Sequence, residues 1–145
     1  MRSVVLGFGS TLRGDDGIGP RIAERIEGLT KATDVLVLIR QSLTPDLAHD
    51  IEGADRVVFI DASATETPGA FCEQWIEPRS DSSVAMVHFL EPAALLEWCL
   101  RAYGRSPQAV LITVGASNFE LGEALSPEVA KSIPLIVRRV VELVS

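Results

Sequence analysis

The chain has 145 residues, a length that predicts one domain spanning residues 1–145. Hydrophobic residues make up 47%, enough for a packed core, which excludes a disordered chain. A net charge of −7 and a pI near 4.8 argue against nucleic acid as a general partner, and no apolar run is long enough to predict membrane insertion.

An apolar run opens the chain, with Ser3 to Phe8 reading as a buried parallel strand. It enters a turn, Leu6-Gly7-Phe8-Gly9-Ser10-Thr11-Leu12-Arg13-Gly14-Asp15-Asp16-Gly17-Ile18-Gly19-Pro20, with five glycines and two adjacent aspartates. Ile18, Ile22, Ile26 and Leu29 then recur at helical spacing, and Pro20 lies in the first turn, where its missing N–H costs little. The turn is not a phosphate cradle. Position 12 is Leu, so the dinucleotide spacing G-x-G-x-x-G fails, and no Gly-Lys-Ser/Thr follows. Asp15 and Asp16 would also repel a phosphate. A cation site at the C-terminal edge of a sheet is one reading. Helix capping is the other, and it accounts for one aspartate better than for two.

Val35 to Ile39 is predicted to be a second buried strand, and Thr44 and Pro45 to start a short helix as N-cap and N1. Leu47, Ala48 and Ile51 form its inner face; His49 on this helix is set aside as a surface or half-buried residue rather than a ligand. Arg56 to Ile60 is a third strand, with Asp61 at its end. Thr65 to Gly69 is a turn, and Phe71 to Ile76 alternates as an edge strand does. Pro78 to Ser83 reads as a polar loop, and His88 lies in the loop ahead of a helix. That helix opens at Pro92, carries Leu95, Leu96, Cys99 and Tyr103 on one stripe, and closes at Gly104. Ala109 to Val114 is the last strand, followed by the loop Gly115-Ala116-Ser117-Asn118. Ser126-Pro127 caps a final helix whose stripe is Ile133, Ile136, Val137, Val140, Val141 and Val144, with a break or kink expected at Pro134.

The fold class is therefore α/β: one three-layer α/β/α domain with a five-stranded, mostly parallel twisted sheet. The fourth strand follows the third without a helix and is the expected antiparallel member. No leader peptide is expected ahead of the first strand. Cys72 and Cys99 have neither metal-motif nor disulfide-framework spacing, which suits a reducing compartment and a cytoplasmic protein.

Asp16, Asp61 and His88 come from three loops that can converge at one sheet edge. Two carboxylates and an imidazole make a mixed O/N ligand set for nickel, zinc or cobalt, with positions left open for water or a partner's groups. No H-E-x-x-H motif points to a thermolysin-like protease, and no G-x-S-x-G to a serine hydrolase. Open at this stage are a peptidase or amidohydrolase with its own metal, a non-catalytic nickel-sensing docking module, and, least supported, a nucleotide-binding domain.

The stretch Val5 to Gly19 resembles the N-terminal signature of the [NiFe]-hydrogenase maturation endopeptidases. Phe59-Ile60-Asp61-Ala62 is similar to that family's second acidic motif, and His88-Phe89-Leu90-Glu91-Pro92 to its histidine motif. Val114-Gly115 through Phe119-Glu120-Leu121-Gly122 to Leu125-Ser126-Pro127 resembles its C-terminal stretch, so the likeness runs through nearly the whole chain in order. The resemblance implies a cytoplasmic, aspartic-type endopeptidase. Its partner would be a hydrogenase large-subunit precursor, whose C-terminal extension it removes after nickel insertion. It also implies that Asp16, Asp61 and His88 are both the metal ligands and the catalytic residues, with Asp16 the first candidate for general base. The nickel would be supplied by the precursor, and another divalent metal such as zinc or cadmium could occupy the site in isolation. Two departures stand out. Ser10 replaces an Asn common in the family, and Gln41-Ser42-Leu43-Thr44-Pro45 replaces an Asp-Gly-Gly-Thr-like segment. The replacement resembles a variant in members serving bidirectional, NAD-linked hydrogenases, and makes Arg40 and Gln41 candidates for precursor contacts.

Overall fold

The computed structural model describes residues 1–30, 34–80 and 90–145. Five strands form one sheet: β1 (Ser3–Phe8), β2 (Val35–Arg40), β3 (Arg56–Ser63), β4 (Phe71–Ile76) and β5 (Gln108–Gly115), in the order β2-β1-β3-β5-β4. β1 pairs in parallel with β2 and β3, and β3 with β5; β4 runs antiparallel to β5. The α/β class and the antiparallel fourth strand are as the sequence predicts.

Helices cover both faces. α1 (Ile18–Leu29) and α4 (Pro127–Val144) pack on one side, and α2 (Leu47–Ile51) and α3 (Pro92–Tyr103) on the other. Strand alternation divides the core accordingly. Val58 and Ile60 of β3 join the α1/α4 cluster, while Val57 and Phe59 join the α2/α3 cluster. β1 and β3 are buried on both faces, which is why they read as unbroken apolar runs.

Several local expectations fail for identifiable reasons. β2 is an edge strand, with Leu36 and Ile39 exposed, so an apolar run did not mean a central position. Leu29 lies outside the buried stripe of α1, and Tyr103 is exposed at the end of α3. α2 begins at Leu47, because Thr44 to Asp46 form a turn in which the Leu47 N–H donates to the Thr44 carbonyl. α4 does not break at Pro134, which lies on the exposed face. The Ala130 carbonyl that it leaves without an N–H is on an exposed residue, while Val129, Ile133, Ile136 and Val137 anchor the helix on both sides.

Glycine permits the close approach of α1 to the sheet. A side chain on Gly7 of β1 would collide with the Gly19 carbonyl of α1, and one on Gly19 with the Ile60 carbonyl of β3. These contacts seat the start of α1 directly on the ends of β1 and β3.

Candidate active site

The chain leaves β1 towards β2 on one side and returns through β3 on the other. The strand order therefore reverses between β1 and β3, and open α/β sheets bind their ligands at such a crevice. Asp16 lies on the turn after β1, and Asp61 near the C-terminal end of β3. Topology thus brings together two of the three candidates. His88 lies outside the described residues, as does most of the loop predicted ahead of α3.

Asp16 sits in a single 3-10 turn, Gly14–Gly17. Its Oδ2 accepts the Ser10 N–H at 2.7 Å, which folds the turn back on itself. Ser10 meets this carboxylate through its backbone, so its side-chain identity does not alter that bond. Gly9, at φ 139°, provides the bend; a Cβ there would strike the Asp16 carbonyl.

Asp61 is half-buried and pairs in register with Thr113 of β5. Its Oδ1 accepts the Ala62 N–H at 2.8 Å. Burial pushes its carboxyl up to about 7; the Ala62 N–H opposes the shift, and the negative charges of Asp16 and Glu91 add to it. Glu91 is the residue just before α3, and its side chain makes no capping bond there. It was not singled out in the sequence, where Glu91-Pro92 looks like an ordinary helix start. Among the described residues, no group of three or more His, Cys, Asp or Glu side chains is arranged to hold a metal ion.

Asp15 has a different role from its neighbour. It is fully buried and accepts hydrogen bonds from the Ser117, Asn118 and Ser126 N–H groups at 2.9, 3.0 and 2.7 Å, and from the Ser126 hydroxyl at 2.6 Å. Burial opposes its ionisation most strongly, yet the bonds from Ser126, Ser117 and Asn118 together hold its carboxyl below the usual value. Ser126 is the N-cap of α4 but makes no side-chain cap bond there. Asp15 supplies the negative charge at that helix end, so it complements α4 rather than the helix it precedes in sequence. Neither Asp15 nor Asp16 makes a side-chain capping bond to α1.

A third carboxylate lies near the same edge. Thr113 Oγ1 donates to Glu66 Oε1 at 2.6 Å, and the buried Glu66 Oε2 has no hydrogen-bond partner among the described residues. Arg40 and Gln41 are exposed at the end of β2, and the Arg40 carbonyl accepts the Gly9 N–H at 3.1 Å beside the Asp16 turn. Leu43 is buried in the α2/α3 cluster, so the Gln41 to Pro45 segment is partly structural.

A mostly parallel α/β sheet with paired carboxylates at its switch point defines the class. No family model matches the chain, and no curated protein does either. Solved structures do match. The hydrogenase maturating endopeptidase HybD from E. coli is 26% identical, covering 99% of this chain and 91% of its own, with a TM-score of 0.77. The [NiFe] hydrogenase maturation protease HycI from Thermococcus kodakarensis KOD1 is 25% identical, covering 99% and 92%, with a TM-score of 0.78. A further endopeptidase from Escherichia coli is 27% identical, covering 98% and 91%, with a TM-score of 0.76. The chain thus has the fold of the hydrogenase maturation endopeptidases over almost its full length, in agreement with its sequence motifs.

Proposed function

We propose that the protein is an endopeptidase that removes the C-terminal extension of a nickel-loaded [NiFe]-hydrogenase large-subunit precursor. The observation that carries this reading is the near-complete structural likeness to maturation endopeptidases, with Asp16 and Asp61 at the sheet's switch point. No helix among the described residues is long and apolar enough to cross a membrane. The reading places the protein in the cytoplasm, where its two free thiols suit a reducing environment.

The electrostatics suggest how the substrate's metal is checked. Burial raises the Asp61 carboxyl most, and the negative charges of Asp16 and Glu91 add to the shift. Nickel held by the precursor supplies a compensating positive charge, and Asp16, Asp61 and His88 are its ligands on this chain. A precursor without nickel brings no cation to these carboxylates and docks weakly. Asp61, its carboxyl raised to about 7 in the free enzyme, can take a proton from an attacking water, so it joins Asp16 as a candidate for the base role. In this reading the enzyme is of the aspartic type.

The test is cleavage of the large-subunit precursor, nickel-loaded or metal-free, read by mass spectrometry of its C-terminus. Loss of the extension from the loaded form alone is the expected result. Equal cleavage of both forms overturns the nickel check and leaves the peptidase. Cleavage of neither overturns the proposed function.

A further inference from the structure

Residues 117–124 are all exposed and contribute nothing to either core cluster. Such a loop is ordinarily free to move. This one is strapped. The Gly122 N–H donates to the Leu12 carbonyl at 2.9 Å, and the Gly14 N–H to the Gly122 carbonyl at 2.8 Å. The Asp15 N–H donates to the Asn118 carbonyl at 2.8 Å, the Glu120 N–H to Asn118 Oδ1 at 2.9 Å, and Arg21 binds the Glu123 carbonyl. The bonds from Ser117, Asn118 and Ser126 already satisfy Asp15, so its burial does not account for fixing residues 119–123.

What the straps hold in place is apolar. Leu121 is 81% exposed, Leu12 59% and Phe119 38%. Isolated exposed leucines are ordinary, but these three sit on two loops joined backbone to backbone. Gly14, which bonds Gly122, opens the same 3-10 turn that carries Asp16.

We propose that the strapped tips of residues 11–13 and 118–122 form a rigid docking surface for an apolar patch on the folded body of the large-subunit precursor, beside the segment that is cut. The inference rests on the proposed function and extends it from the scissile bond to the substrate's surface. Continuity with the Asp16 turn argues for the substrate as occupant. Size argues against a second copy of this chain, since a stable interface needs roughly 800 Å² per partner, far more than three side chains expose. A fixed backbone lowers the ordering cost of binding, which suits a brief contact that must align a bond with Asp16 and Asp61.

The test uses Leu121→Glu and Leu12→Glu, with Leu135→Glu on the exposed side of α4 as control. Neither loop leucine belongs to a core cluster, and unchanged thermal midpoints will verify that the variants fold. The precursor bearing its extension is the probe in two assays, cleavage kinetics and binding to the immobilised precursor. The expected result is a KM at least tenfold higher and binding at least tenfold weaker for the loop variants, with kcat within twofold and the control unchanged. Unchanged KM and binding overturn the proposal. So does a wild-type dimer in sedimentation that Leu121→Glu converts to a monomer without changing KM. If the wild type binds the precursor but does not cut it, the proposed function fails, while weaker binding by the variants still supports the surface. If the wild type neither binds nor cuts, both fail.

Discussion

Asp15 and Asp61 lie at the same edge of the sheet and meet opposite surroundings. Asp15 is fully enclosed, and N–H and O–H donors from two segments surround its carboxylate, so its charge is stabilised. Asp61 is less enclosed, accepts one N–H and faces the negative charges of Asp16 and Glu91, so its charge is resisted. Burial pushes both carboxyls in the same direction; the neighbours decide the outcome. A satisfied buried carboxylate ties elements together, whereas a resisted one is poised to bind a cation or a proton. Strongly perturbed groups in clefts are where function is sought, and here the perturbation separates the two aspartates.

The largest break in this comparison comes from Asp61→Asn. Cleavage of the loaded precursor is expected to fall by about a thousandfold or more, as for the loss of a metal ligand or base. The same change should raise stability. In the unfolded chain the carboxyl releases its proton near ~3.9, but the folded protein holds it up to about 7. Wild-type stability therefore declines as pH rises between those values, and the penalty is complete above them. Asn carries no such penalty, so the variant should gain up to about 4 kcal/mol over the wild type at pH 8 and little at pH 4. Urea denaturation at the two pH values checks the sign; a variant less stable at pH 8 would show that Asp61 has an unrecognised partner.

Asp15→Ala tests the other side. It leaves the Ser117, Asn118 and Ser126 donors without an acceptor, and should cost about 3–5 kcal/mol, read by urea denaturation. Because this carboxyl is held below its ordinary value, its contribution is present above the unfolded value and lost as pH falls through the folded one. The wild type should therefore lose its advantage over the variant in acid. A loss below about 1 kcal/mol would mean that water replaces the carboxylate.

Ser126→Ala sharpens the comparison within that network. It removes the hydroxyl that donates to Asp15 at 2.6 Å and bonds the Ser117 hydroxyl at 2.8 Å, and should cost about 1–2 kcal/mol with cleavage retained. The smallest effect is expected at Glu73→Gln on β4. Arg139 holds the Glu73 carboxyl below its ordinary value through paired hydrogen bonds, but the pair is partly solvated and shares no hydrogen bond with either aspartate. Stability should change less than in Ser126→Ala, and cleavage not at all. A cleavage defect there would show that the edge strand takes part in substrate binding.

Much of this protein was legible before its structure. Apolar runs located β1, β3 and β5, and alternation marked β4 as an edge. Pro92 and Gly104 bounded α3 where they were expected, because proline fixes φ at a helix start and Gly104 takes the left-handed φ of 78° that ends it. These are local effects, written in single residues and their spacing. Long-range pairing decided the rest. β2 is as apolar as β1, and only strand order placed it at the edge. Asp15 and Asp16 are consecutive carboxylates in one turn. Nothing local separates them, because the donors that claim Asp15 lie more than a hundred residues away, on the segment leading into α4. Asp61 drew notice as an acid ending a strand, but its raised carboxyl comes first from burial and then from Asp16 and Glu91, which arrive through the turn after β1 and the start of α3. Sequence alone set the elements and the chemical types at the site, since propensity and periodicity act over a few residues. Only the tertiary structure decided which carboxylate is satisfied and which is exposed to its own kind, since electrostatic environment is a property of neighbours in space.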